Sequence, residues 1–238
     1  MPTTKVGRLK RKLEQYKGFL KPRQVAAGIN AAITNAKRLA DDAALLLESG
    51  RYPSALSLAV LSIEESGKVP ILRSLALARN PEEIAEAWHE YRSHTRKNVM
   101  WMFLDLFAKG ARRADDFNPL FYEESDHPFL LDMVKQVSFY TDCLGNAHWS
   151  LPSDVVDEDL SRSIVYIAQL LATKRQRTER EIELYVKHLK PVWKSHKELM
   201  EMALVQWYQE MQDEGLLPAG ENEMERLILY GVHASNDK

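Results

Sequence analysis

The run Pro53 to Leu77, PSALSLAVLSIEESGKVPILRSLAL, narrows the fold more than any other part of the chain. Ala55, Leu56, Leu58, Ala59, Val60, Leu61 and Ile63 leave no polar face over its first half, and a helix of that kind is buried all round. Glu64 and Glu65 then stand at the end of its greasiest stretch. Glu64 and Lys68 are four apart with the acid first, the better orientation for a pair on one helix. Because the preceding turns are apolar, a carboxylate there needs a cation or hydrogen-bond donor, or its pKa must rise.

The flanking segments have the same helical spacing. Residues 23–49 put Val25, Ile29, Ala32, Ile33, Ala36, Leu39, Ala40, Ala43 and Leu46 on one stripe. Pro22 suits a first turn, and Gly50 suits the position past the end. The short link to Pro53 predicts an antiparallel helix pair, and Pro70 predicts a kink or interruption beyond the glutamates. Asn80 followed by Pro81, Glu82 and Glu83 predicts a capped helix start, with the helix running to about Lys109. After a turn-rich stretch, residues 129–141 read as helix and TDCLGNAHWSLPSDV as a loop. Helices are expected over about 156–189, 191–213 and 221–234. No alternating strand pattern stands out, so the fold class is all-α: a helical bundle with additional C-terminal helices.

With 32 Lys and Arg against 34 Asp and Glu, a formal charge of −2 gives no general attraction to nucleic acid or acidic membranes. The single cysteine, Cys143, rules out an internal disulfide. No run is long and apolar enough to span a membrane, and no apolar leader follows the N-terminus, which predicts a cytoplasmic protein. Residues 1–21 form a basic segment, and Leu9, Leu13, Tyr16 and Leu20 would share one face of an amphipathic helix. Its leucines would dock on the domain at 22–238, or its cations would cover RNA or a partner. KRQRTER, 174–180, reads as the wet face of a helix. Glu86 and His89 form one Glu-x-x-His, but the second copy, Glu124 and His127, lies in a turn-rich stretch, so neither a metal nor a cofactor is expected.

The block YRSHTRKN offers partners for the glutamates. His94 falls three after Tyr91 and four before Asn98 on the expected helix, with Lys97 and Arg92 nearby. Glu64, Glu65, Lys68, Arg92, His94 and Lys97 would make a compact ionic cluster. The simpler reading is a core histidine satisfied by one hydrogen bond.

Three blocks carry a family resemblance. LLLESGRYPSALSLAVLSIEESGKVPILR resembles the signature helix pair of the AbiV abortive-infection family, within the HEPN clan. HEYRSHTRKN resembles its His-x-x-Lys block. KQVSFYTDCLGNAHWSLPSDV resembles its third, with Tyr140, Asp142, Gly145, Trp149 and Pro152 in place. The resemblance covers roughly residues 24–175. It implies a HEPN-like helical fold, a homodimer and a role in phage defence, in which growth or translation of the infected cell is arrested. HEPN ribonucleases commonly use an Arg and a His with four to six residues between them. Here that spacing occurs as Arg226 and His233, with Leu227 where a polar residue is usual. Two functions follow: a metal-independent ribonuclease acting on RNA or the translation machinery, or a non-catalytic helical module that binds a phage protein.

Overall fold

The computed structural model describes residues 14–93 and 127–231. Its two longest helices, α1 (Pro22–Glu48) and α2 (Tyr52–Leu77), form an antiparallel pair. Pro22 opens α1, and Gly50, at φ 69°, turns the chain between them. That φ favours glycine because a Cβ would crowd the following carbonyl. The predicted α1 stripe is buried from Val25 to Ala43, and Leu46 packs at its margin.

α2 is enclosed as its composition requires. Ala55, Leu56, Ala59, Val60 and Ile63 have no exposed surface. The buried hydroxyls of α2 bond outward: Ser62 Oγ donates to the Ala36 carbonyl at 2.7 Å, and Ser57 Oγ meets Ser138 Oγ at 2.8 Å. Buried polar groups persist only when paired in this way. The expected interruption at Pro70 does not occur, since α2 continues to Leu77. Pro70 faces solvent, where water can satisfy the carbonyl it leaves unpaired, while Ile71, Leu72 and Leu75 hold the last turns in the core.

α3 (Pro81–Arg92) starts on the expected cap, with Asn80 Oδ1 accepting from the Glu83 amide. It ends earlier than expected, because Ser93 turns extended at ψ 132°. α4 (His127–Phe139) is followed by β1 (Asp142–Leu144) and β2 (His148–Ser150), an antiparallel hairpin in place of the expected loop. Its turn is made by Gly145 and Ala147, both at positive φ. The short α5 (Pro152–Val155) leads to α6 (Glu158–Leu171).

The helix expected over 156–189 is two helices. Residues 172–178 leave the helical path, and α7 (Glu179–Leu189) restarts on a capping box in which Thr178 and Glu181 serve each other's amides. KRQRTER is therefore mostly loop, with Asn30 of α1 bonding both the amide and the carbonyl of Arg177. A 3-10 turn at Lys190–Val192 precedes α8 (Lys197–Asp213), and α9 (Glu223–Tyr230) starts on Asn222.

Residues 14–21 are not helical. The Gly18 carbonyl accepts from the Trp88 indole at 2.9 Å and the Tyr16 carbonyl from Arg92, so these groups serve α3 rather than a helix ladder. Leu20 packs with Val25, Ile29, Leu72, Trp88 and Ile182 in one core cluster. A second joins α1 and α2 to Leu131, Val156, Ile164, Val165 and Ala168. A third sets Leu77 against Leu189 and Ala203. Helix dominates throughout, and no helix among the described residues is long and apolar enough to cross a membrane.

Candidate functional site

Glu64 is buried, with 4 % of its surface exposed. Lys135 meets it from α4, its Nζ donating to Oε1 at 2.7 Å. Asp132 stands 2.8 Å from the same ammonium. Leu131, Lys135 and Ser138 lie four and three apart on one buried stripe of α4. That stripe runs antiparallel to α2: Lys135 reaches Glu64 as Ser138 reaches Ser57. Burial acts to lower the Lys135 pKa, but the hydrogen bonds it donates to Asp132 and Glu64 outweigh it and hold the ammonium above its ordinary value.

Glu65 points elsewhere. Its carboxylate accepts from Lys68 at 2.5 Å, three residues on, and both side chains are about four-fifths buried. Lys68 Nζ also lies over the Tyr91 ring, 5.3 Å from its centroid. A cation over a ring face is attracted by the ring quadrupole, by about 0.5–2 kcal/mol depending on desolvation. This contact sets the Glu65–Lys68 pair of α2 beside the last turn of α3. Tyr91 also packs edge-on against Trp88, at 5.4 Å between centroids.

Arg92 turns away from the glutamates toward the N-terminal segment. Its guanidinium donates to the Trp88 and Tyr16 carbonyls and lies 4.9 Å from the Trp88 ring. His94, Lys97 and His233 lie outside the described residues. Because α3 ends at Arg92, the helical spacing that aligned His94 with Tyr91 and Asn98 does not extend through Ser93. Arg226 is exposed on α9 and lines a cleft of about 400 Å³ with Arg175, Tyr208 and Glu223. Glu86 pairs with Lys194 at 3.1 Å, and Glu124 lies outside the described residues.

The structure thus couples Glu64 to Lys135 and Glu65 to Lys68, which in turn lies over Tyr91. Lys135 escaped the sequence reading, although the signal was present: one lysine in the apolar run LLDMVKQV, on the stripe shared by Leu131 and Ser138. The AbiV family model matches residues 24–173, from the start of α1 past the end of α6. The chain belongs to the AbiV family. No curated protein and no solved structure matches it. The matched span takes in the α1–α2 pair, the Glu64–Lys135 bridge and the Glu65–Lys68–Tyr91 contact; α7, α8 and α9 lie beyond it. AbiV membership places the chain, at the level of its family, in abortive-infection phage defence.

Proposed function

We propose that this AbiV-family chain arrests infected cells by attacking RNA, working on the translation machinery or its transcripts, with the segment from Tyr91 to Lys97 contributing the reacting groups. The observation carrying this reading is the contact of Lys68, itself paired with Glu65, with the Tyr91 ring, which sets an ion pair of the family's signature helix beside the start of the His-x-x-Lys block. The reaction is a metal-independent transesterification. The ribose 2′-oxygen attacks phosphorus and the bond to the 5′-oxygen breaks, leaving a cyclic phosphate and a 5′-hydroxyl. His94 takes the 2′-hydroxyl proton or protonates the departing oxygen. Lys97, with Arg92 or Lys68, offsets charge building on the phosphate. Glu65 orients Lys68. Glu64, buried on Lys135, sets the position of α4 on α2. Arg226 and His233 are the second candidate pair, from α9 and the segment after it.

A non-catalytic reading draws on a different observation. Phe139, Tyr140, Trp149 and Leu151 are exposed around the hairpin, and aromatic side chains on a surface favour protein contacts. There the charged groups fix helix register, and a phage protein is the ligand.

Phage plating separates the two when stability is measured alongside. His94→Gln keeps a hydrogen-bonding side chain and loses the titratable ring. It is expected to melt near the parent's Tm and to lose protection. A folded His94→Gln protein with full protection contradicts the role given to that residue.

A further inference from the structure

Outside that site, a cleft of about 400 Å³ opens between α8, α9 and the loop joining them, with Arg175 among its lining residues. Every residue lining it lies beyond the span 24–173 that the family model matches. Contacts between elements fix its walls. Asn222 Nδ2 donates to the Val205 carbonyl at 3.0 Å, Tyr208 Oη to Glu223 at 3.3 Å, and Arg175 to the Leu216 carbonyl at 3.1 Å. Tyr208 and Gln212 stand four apart on α8, and Glu223 and Arg226 three apart on α9, so each helix presents one face to the cleft.

Two kinds of group in this cleft lack a partner. Gln212 is nine-tenths buried. Its Nε2 faces the carbonyls of Pro218, Gly220 and Glu221, at 2.8, 3.4 and 3.4 Å, which fixes the amide nitrogen on that side. Oε1 is then a buried acceptor with no donor among the described residues, and an acceptor so placed costs stability until a donor meets it. Arg226 is exposed, and its guanidinium makes no hydrogen bond or ion pair among the described residues. Arg175 bonds Glu181 and Leu216 through Nη2 alone, leaving the other side of its fork unbonded.

We infer that this cleft binds a mononucleotide, its phosphate on Arg226 and the open side of Arg175, its base against Tyr208 and Pro218, and an N–H of the base donating to Gln212 Oε1. The planar arginine fork matches two phosphate oxygens at once, and bases stack on aromatic side chains. A bare phosphate chain fits less well, because it brings no donor for Gln212 and would meet the carboxylates of Glu221 and Glu223. An amino acid matches the charges but leaves the apolar wall of Tyr208 and Pro218 uncovered. The volume lies within the range of roughly 300–1,000 Å³ of small-molecule sites. The site goes beyond the proposed function: it uses none of residues 91–97, and binding there requires no cleavage.

The test is titration calorimetry of the full chain with AMP, GMP, CMP and UMP. It uses the parent, Arg226→Gln and, as control, Arg38→Gln, whose arginine is paired with Asp42 and does not line the cleft. At least one nucleotide is expected to bind saturably, about tenfold more weakly to Arg226→Gln and equally well to Arg38→Gln. Two ligand comparisons need no variant, so they carry the test if Arg226→Gln loosens α9. The nucleoside of the best ligand, which lacks the phosphate, is expected to bind at least about tenfold more weakly. Purine riboside 5′-monophosphate, which offers a base without a donor, is expected to lose about tenfold against the best of the four. Nucleotide binding with no new RNA ends in infected cells leaves this site standing and contradicts the cleavage reading; new ends without nucleotide binding do the reverse. The proposal is overturned if none of the four binds at millimolar concentration, or if Arg226→Gln binds as the parent does. Equal loss in Arg38→Gln also overturns it, as does inorganic pyrophosphate or purine riboside 5′-monophosphate binding as tightly as the best nucleotide.

Discussion

A carboxylate and an ammonium at about 5 % and 7 % side-chain exposure, as in Glu64 and Lys135, contribute less to net stability than they cost when separated. Glu64→Gln leaves the Lys135 ammonium without its charged partner on α2, and we expect unfolding free energy to fall by about 3–5 kcal/mol. Replacing both with leucine removes the charges together and should recover much of that loss. Urea denaturation of Glu64→Leu, Lys135→Leu and the double variant checks this, and purely additive losses would contradict a coupled pair. The pair also predicts a pH response. Lys135 has a raised pKa in the fold, so its contribution is complete below the ordinary lysine value of 10.5 and is lost as pH climbs through the higher native value. The Tm gap between the parent and Lys135→Met should hold at neutral pH and close as pH climbs past the ordinary lysine value.

At the scale of elements, α7 and α8 are joined by charge as well as by Leu189 and Ala203. Arg180 bonds Glu214 at 2.7 Å, and Lys187 and His188 both bond Glu210. Hydrogen bonds from Lys187 and His188 hold the Glu210 carboxyl below its usual value, and Arg180 does the same for Glu214. Depressed carboxylates stabilise above their unfolded pKa and cease to as pH falls through the native value. Amide protection across 197–213, corrected for intrinsic exchange, should therefore drop below about pH 4.5 while that of α1 and α2 persists. Equal loss in both would contradict the expectation.

The elements also show how far the sequence could be read. The α1–α2 pair was legible because both helices are long and their apolar spacing is strict, and the Asn80 cap because its side chain acts locally. The break at 172–178 was legible too, in the Thr178-x-x-Glu181 capping box, but it lay inside an otherwise periodic stretch. The hairpin was not, since three-residue strands are too short to display alternation. The end of α3 at Arg92 was missed because the apolar spacing runs past it. Among the site residues, Glu64 was legible as a buried acid. Its partner was not, because the pairing with Lys135 spans 71 positions and depends on how α4 lies across α2.

At the scale of the whole molecule, an apolar surface stands exposed among the described residues. Leu45, Tyr166 and Leu170 are each more than half exposed on α1 and α6, beside a shallow groove that includes Leu47 and Val165. Patches of this kind mark contact sites in soluble proteins. We expect a homodimer through this face, with light scattering returning twice the 27.4 kDa chain mass. Tyr166→Asp with Leu170→Asp should return a monomer; a monomeric parent at micromolar concentration would contradict the dimer.

The central claim is that the chain cuts RNA through the segment that follows Tyr91. Its most direct measurement is sequencing of 5′-hydroxyl RNA ends from phage-infected cells carrying the parent or His94→Gln, with Tm values of the purified proteins matched. The account predicts new ends in infected cells with the parent and none with His94→Gln. It is contradicted by a parent that produces no new ends while still protecting, or by a folded His94→Gln protein that produces the same ends.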